Sequence, residues 1–148
     1  LVDINLGYEA RTLWKNLDDM KDDFYKLMDF STRFDLITHD GEDCHTDHTA
    51  CFTIAKGMFK YCNRFITIYS PSSAGLKPNF FVGMTAEQYA IKKKALDKYD
   101  IQKEQSYTKL GYYLQSEEHY NIGRAHVLEN YVFDDYPYYE VYKIQKWL

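Results

Sequence analysis

Apolar residues recur at intervals of three and four between residues 9 and 28. Ala10, Leu13, Trp14, Leu17, Met20, Phe24, Leu27 and Met28 form the stripe, with Asp18, Asp19, Asp22 and Asp23 on the other side. The spacing predicts an amphipathic helix of about five turns, its aspartates a solvated face. Residues 30 to 42 lose the period and carry the turn pair Asp40-Gly41, which reads as a connection. A second stripe of Cys51, Ile54, Ala55, Met58, Phe59 and Cys62 predicts another helix, with Thr46 or Asp47 as its N-cap.

The middle of the chain changes character. Arg64-Phe65-Ile66-Thr67-Ile68-Tyr69 is β-branched and aromatic, Pro71 to Gly75 punctuates, and Asn79 to Met84 is another short apolar run. Two short strands are expected there, as a candidate pair. Thr85 and Gln88 have the spacing of a capping box, which opens a helix bearing Tyr89, Leu96 and Tyr99 with Lys92-Lys93-Lys94 on its wet side. Two further helices are expected over 103–116 and 117–132, the second with Ile122, Ala125, Leu128 and Val132 on one stripe, ended before Pro137. From Tyr138 to Trp147 a helical spacing of Val141, Ile144 and Leu148 competes with strand-like composition. The pattern as a whole predicts a helix-dominated α+β fold of about four to five helices and two or three short strands, as a single compact domain over 1–148.

Between these predicted helices, Tyr107-x2-Leu110-Gly111-x2-Leu114 followed by Tyr120, Gly123 and Val127 resembles one unit of the tetratricopeptide pattern of helical hairpins. Leu114 stands where a Tyr is usual, and Gly123 where a small Ala is. No second copy follows, so an ordinary helical hairpin is the expectation.

Composition narrows the function classes. The 148 residues include 15 Tyr, 9 Phe and 2 Trp, so many rings that several must sit at a rim, groove or interface rather than in the core. Eighteen Lys and Arg against 22 Asp and Glu leave a net charge of -4, with no cationic excess to follow a phosphate backbone, and nucleic acid is not an expected partner. The longest run free of charge, Phe65 to Leu76, has 12 residues and contains Pro71 and Gly75, too short for a membrane span. Three cysteines leave at least one unpaired, and Cys51 and Cys62 on one helix would stand about 16 Å apart, too far to bridge. Free thiols point to an intracellular, reducing compartment; a first residue Leu1 rather than Met fits a processed or organellar chain.

Chemistry-bearing residues crowd the loop before the second helix. Asp43-Cys44-His45-Thr46-Asp47-His48 follows His39, Asp40 and Glu42 and precedes Cys51. In an extended loop Asp43, His45 and Asp47 would point one way, and His45-x-Asp47 has the spacing used by non-haem iron oxygenases. The run also faintly resembles the metal loop of metallo-β-lactamase-type hydrolases, with Asp43 where the first His stands in that family. Candidate metal ligands are thus Asp43, His45, Asp47 and His48, with Glu42 or Asp43 as base and His119 or His126 as recruits from the other half of the chain. On a helix, Cys44, His48 and Cys51 spread over about 10 Å and cannot share one ion.

Phosphate loops, a nucleophile elbow, His-Glu-x-x-His and EF-hand spacing are all missing from the sequence. With catalytic motifs weak and rings abundant, the sequence favours a non-catalytic interaction protein (accessory subunit, adaptor or inhibitor). Its contact patch would be Tyr136, Tyr138, Tyr139, Tyr142 and Trp147, with a protein partner and no cofactor. The rival is a small metal-dependent hydrolase or oxygenase, using zinc or iron, centred on His45, Asp47 and His48. A third reading is a small-molecule binding protein with an aromatic pocket.

Overall fold

In the computed structural model the described residues are 4–70, 72, 73, 75–96, 98, 136 and 138–146. Three α-helices are present among them: α1 (Leu17–Leu27), α2 (Thr46–Gly57) and α3 (Ala86–Leu96). Four strands, β1 (Phe34–His39), β2 (Cys62–Ile68), β3 (Phe80–Met84) and β4 (Tyr138–Lys146), make a mixed sheet of order β1-β2-β4-β3. The fold is therefore α+β with a larger sheet and fewer helices than the helix-dominated arrangement expected from sequence. The expected helices over 103–116 and 117–132, and the tetratricopeptide-like unit, lie outside the described residues.

Two compact units divide the chain, one of residues 1–77 with 143–148 and the other of residues 78–142. In the first, β1 and β2 run parallel, with Asp35 opposite Arg64 and Leu36 opposite Phe65. Parallel neighbours need a crossover, and α2 supplies it. Met20, Ile54 and Met58 form one buried cluster, and Ala55, Cys62 and Phe65 another, so α2 packs between α1 and the parallel pair. Phe65 is fully buried, its ring edge-on to Phe52 and tilted against Phe59. Gly41, in the turn after β1, lies flat against Phe52: a methyl group added there would fall 2.5 Å from the ring.

Several predicted boundaries move, each for a physical reason. The long first helix shrinks to α1 preceded by a single 3-10 turn, Leu13–Lys15. Arg11 takes a left-handed backbone, φ 68°, and the buried Asp47 carboxylate accepts the backbone N–H groups of both Arg11 and Leu13. Those donors are thereby satisfied without a helical turn. The second helix stops at Gly57 rather than running on to Cys62, which instead begins β2. Residues 34–39, expected as connection, form β1, where half-buried Phe34, Leu36 and Thr38 alternate with exposed Asp35 and Ile37. Asp35 is held by a two-point ion pair with Arg64 across the strand pair.

In the second unit β3 and β4 are antiparallel, Phe80 opposite Tyr142 and Met84 opposite Tyr138. The two apolar runs expected as a pair, β2 and β3, are not neighbours in the sheet. The capping box is present: Thr85 N–H donates to Gln88 Oε1 at 2.9 Å, and Gln88 N–H to Thr85 Oγ1 at 3.3 Å. Tyr89 of α3 stacks flat on Tyr138, ring centroids 3.9 Å apart, and Lys92 pairs with Glu140 at 2.8 Å. Burial alone would raise the Glu140 carboxyl, but the hydrogen bonds from Lys92 and Tyr142 outweigh it and hold the group below the usual glutamate value.

Two outcomes follow from this packing. Phe65→Ala should lower unfolding free energy by about 3–5 kcal/mol, measured by urea titration. A glutamate with a depressed pKa stabilises the fold above its unfolded value and loses that contribution as pH falls through the folded value. Glu140→Gln should therefore flatten the loss of stability below about pH 4.3, read from melting temperature against pH, and leave the neutral-side slope unchanged.

Candidate metal centre

The carboxyl ends of β1 and β2 place His39, the loop after it, the first turn of α2 and the Ser70–Ser73 segment together in the first unit. Open parallel sheets commonly bind ligands at such strand ends. His39 is the last residue of β1. The turn that follows is fixed by Asp40, 2% exposed, whose Oδ1 accepts Glu42 N–H at 2.9 Å and whose Oδ2 accepts the Thr67 hydroxyl at 3.1 Å.

Asp43 stands at the centre. It is 6% exposed, and donors surround its carboxylate: His45 N–H to Oδ1 at 2.8 Å, the Ser70 hydroxyl to Oδ2 at 2.8 Å and His48 Nδ1 to Oδ2 at 2.9 Å. Burial pushes this carboxyl up, but the His45 amide and the Ser72, His48 and Ser70 donors together outweigh it and hold the pKa below the ordinary value. Asp43 is thus a carboxylate at neutral pH, paired with His48 through Nδ1. The serine segment is held by its own bonds: Ser73, fully buried, accepts Ser70 N–H at 2.6 Å and donates to the Ser70 carbonyl at 2.8 Å. Ser72 reaches both Ser70 at 2.9 Å and His48 Nδ1 at 3.3 Å, and its carbonyl accepts Cys44 N–H at 2.9 Å.

The His39 ring stacks on His48 in parallel, centroids 3.7 Å apart, and His45 lies 4.5 Å from His48 on centroids. Burial and then the neighbouring His48 imidazole push the His39 pKa below its usual value, against the pull of Asp43. Its Nδ1 is buried and makes no hydrogen bond among the described residues. Donor atoms of His39, Asp43 and His48 all lie within 4.8 Å of one another. Ligands of one tetrahedral zinc ion stand about 3.4 Å apart with their lone pairs converging on it, so sharing an ion requires the two stacked rings to swing out of parallel.

Of the four ligands suggested by the sequence, the structure brings Asp43 and His48 together. Asp47 points to Arg11 and Leu13 instead. His45 is the N-cap of α2 in place of Thr46 or Asp47, its Nδ1 accepting Asp47 N–H at 3.2 Å. His39 is the member that spacing missed. Its signal is its position at the end of an alternating run, immediately before Asp40-Gly41. His119 and His126 lie outside the described residues.

The members of the aromatic patch expected from the sequence differ in exposure. Tyr139 is buried, Tyr138 and Tyr142 are half-buried, and Tyr136 is exposed, while Trp147 lies outside the described residues. Phe80 and Tyr142 make a ring contact, and Tyr136 covers Gly83, where an added methyl group would fall 2.8 Å from the tyrosine ring.

No family model, curated protein or solved structure matches the chain.

The three cysteines are free, with Cys44 exposed, Cys51 half-buried and Cys62 fully buried. Burial pushes the Cys51 and Cys62 thiols above their ordinary pKa, which lowers the thiolate fraction. Alkylation with iodoacetamide, followed by peptide mass spectrometry, should label Cys44 first, Cys51 more slowly, and Cys62 only when the protein unfolds.

Proposed function

We propose that His39, Asp43 and His48 hold a divalent transition-metal ion, zinc first among candidates, and that the protein is a metal-dependent hydrolase. The observation that carries the reading is the His39 Nδ1: a buried nitrogen without a hydrogen-bond partner among the described residues, beside an ionised carboxylate and a second imidazole. Unsatisfied buried polar atoms are costly, and a ligand-accepting lone pair gives this one a use. Two imidazoles and one carboxylate leave coordination positions open, the hallmark of a catalytic rather than a structural ion. Such an ion, when bound, lowers the pKa of water and polarises a carbonyl.

The chain's own residues would then divide the work. Asp43 would offset the cation's charge as a ligand, giving up its bond to His48 Nδ1 so that this nitrogen can face the same ion. Ser70 and Ser72 keep Asp43 and His48 in place. His45 is held as the α2 N-cap by the Asp47 N–H on its Nδ1, with its ring beside that of His48. The interaction reading has less support from side-chain placement, because Tyr138 and Tyr139 are engaged within the second unit.

Protein stripped with a chelator and then dialysed against zinc should retain one ion per chain by elemental analysis. His39→Ala and His48→Ala should abolish retention. Asp43→Asn, which removes the anionic ligand, should sharply weaken it, while Asp47→Ala, whose side chain holds the Arg11–Leu13 turn, should keep full stoichiometry. A wild-type protein that retains neither zinc nor, under anaerobic conditions, iron(II) or manganese(II) would overturn the assignment.

A further inference from the structure

The hydrolase reading leaves the substrate open, and a cavity of the first unit bears on it. A partly open concavity of about 290 Å³ is lined by Met20 and Phe24 of α1, Leu36, Thr38 and His39 of β1, and Cys51 and Ile54 of α2. Apart from His39 and the Thr38 hydroxyl these walls are hydrocarbon or thiol. His39 thus belongs both to this apolar cavity and to the cluster with Asp43 and His48.

Ligand sites are mostly apolar concavities carrying a few polar groups, and this one combines apolar walls with His39 and Thr38. An engineered apolar cavity of about 150 Å³ admits benzene; on that scale the present volume takes a flexible chain of about six to ten carbons. The walls bring no cation or carboxylate that would call for a charged or sugar-like group.

We propose that this cavity receives the hydrocarbon tail of an acyl group, so that the substrate is a medium-chain ester or amide whose carbonyl lies at the His39/Asp43/His48 cluster. The inference rests on the metal reading above and adds the substrate class to it. Cys51 is the wall residue best suited to test it, because its half-buried thiol borders the space without belonging to the ligand set. A larger side chain there fills the cavity from the α2 side.

Alkyl hydroxamates supply a metal-binding head on a tail of chosen length. Calorimetric titration of the zinc-loaded full chain with the acetyl, butyryl, hexanoyl, octanoyl and dodecanoyl compounds should show affinity rising about fourfold per added methylene. The rise should stop once the tail exceeds the cavity. Cys51→Trp should remove the chain-length dependence while zinc stoichiometry stays at one, and Cys51→Ala, a variant that adds room, should move the plateau to longer tails. Stoichiometric zinc with equal affinity for the acetyl and octanoyl compounds would overturn the acyl cavity and leave the metal site standing. A wild-type chain that retains neither zinc nor, under anaerobic conditions, iron(II) or manganese(II) would overturn the metal reading and this inference with it.

Discussion

The burial of the Asp43 carboxylate is the constraint around which the first unit is arranged. A carboxylate taken out of water must be surrounded by donors, and this one recruits them from three separate places. The backbone of His45 fixes where α2 can begin, the His48 ring fixes the face of its first turn, and the Ser70 hydroxyl ties the end of β2 to the same point. The parallel pairing of β1 and β2, the crossover through α2 and the convergence of side chains at the strand ends are thus parts of one solution. Asp40 performs the related task just before it, fastening the loop to Thr67 near the end of β2.

Long-range placement and local pattern differ in how far they can be read from the chain. The α2 stripe, the β2 run and the Thr85–Gln88 cap were legible because each rests on contacts within a few residues or on a face wholly turned to the core. β1 was not, since as the first strand in the sheet order it has solvent on alternate positions, and Asp35, Thr38 and His39 dilute its apolar content below that of a buried strand. Its partner Arg64 lies 29 residues away, a relation that no window of sequence contains. The shortened α1 has a similar origin. The helical stripe from Ala10 onward is real, but Asp47 captures the backbone ahead of it, and a tertiary bond overrides a local preference.

The loop itself shows why residue type without coordinates separates roles poorly. Asp43 and Asp47 are four residues apart, both buried and both saturated with N–H donors, yet one joins two imidazoles and the other clamps an N-terminal turn. Spacing correctly marked the segment as dense in ligand-type side chains. Of the Asp43, His45 and Asp47 that an extended loop would align, Asp43 joins the cluster with His48, while His45 starts a helix and Asp47 turns to the N-terminal segment. His39 became relevant only once the strand ending in it was known to deliver its ring onto His48.

The bare backbone of Gly41 against the ring of Phe52 carries an evolutionary consequence. Neither position is free to drift by itself: a side chain acquired at 41 collides with the phenyl group, so divergence there requires a smaller residue at 52 beforehand or at the same time. Phe52 in turn abuts Phe65, so shrinking it opens a gap beneath the sheet. Descendants of this chain should therefore keep the glycine and the phenylalanine together or exchange both.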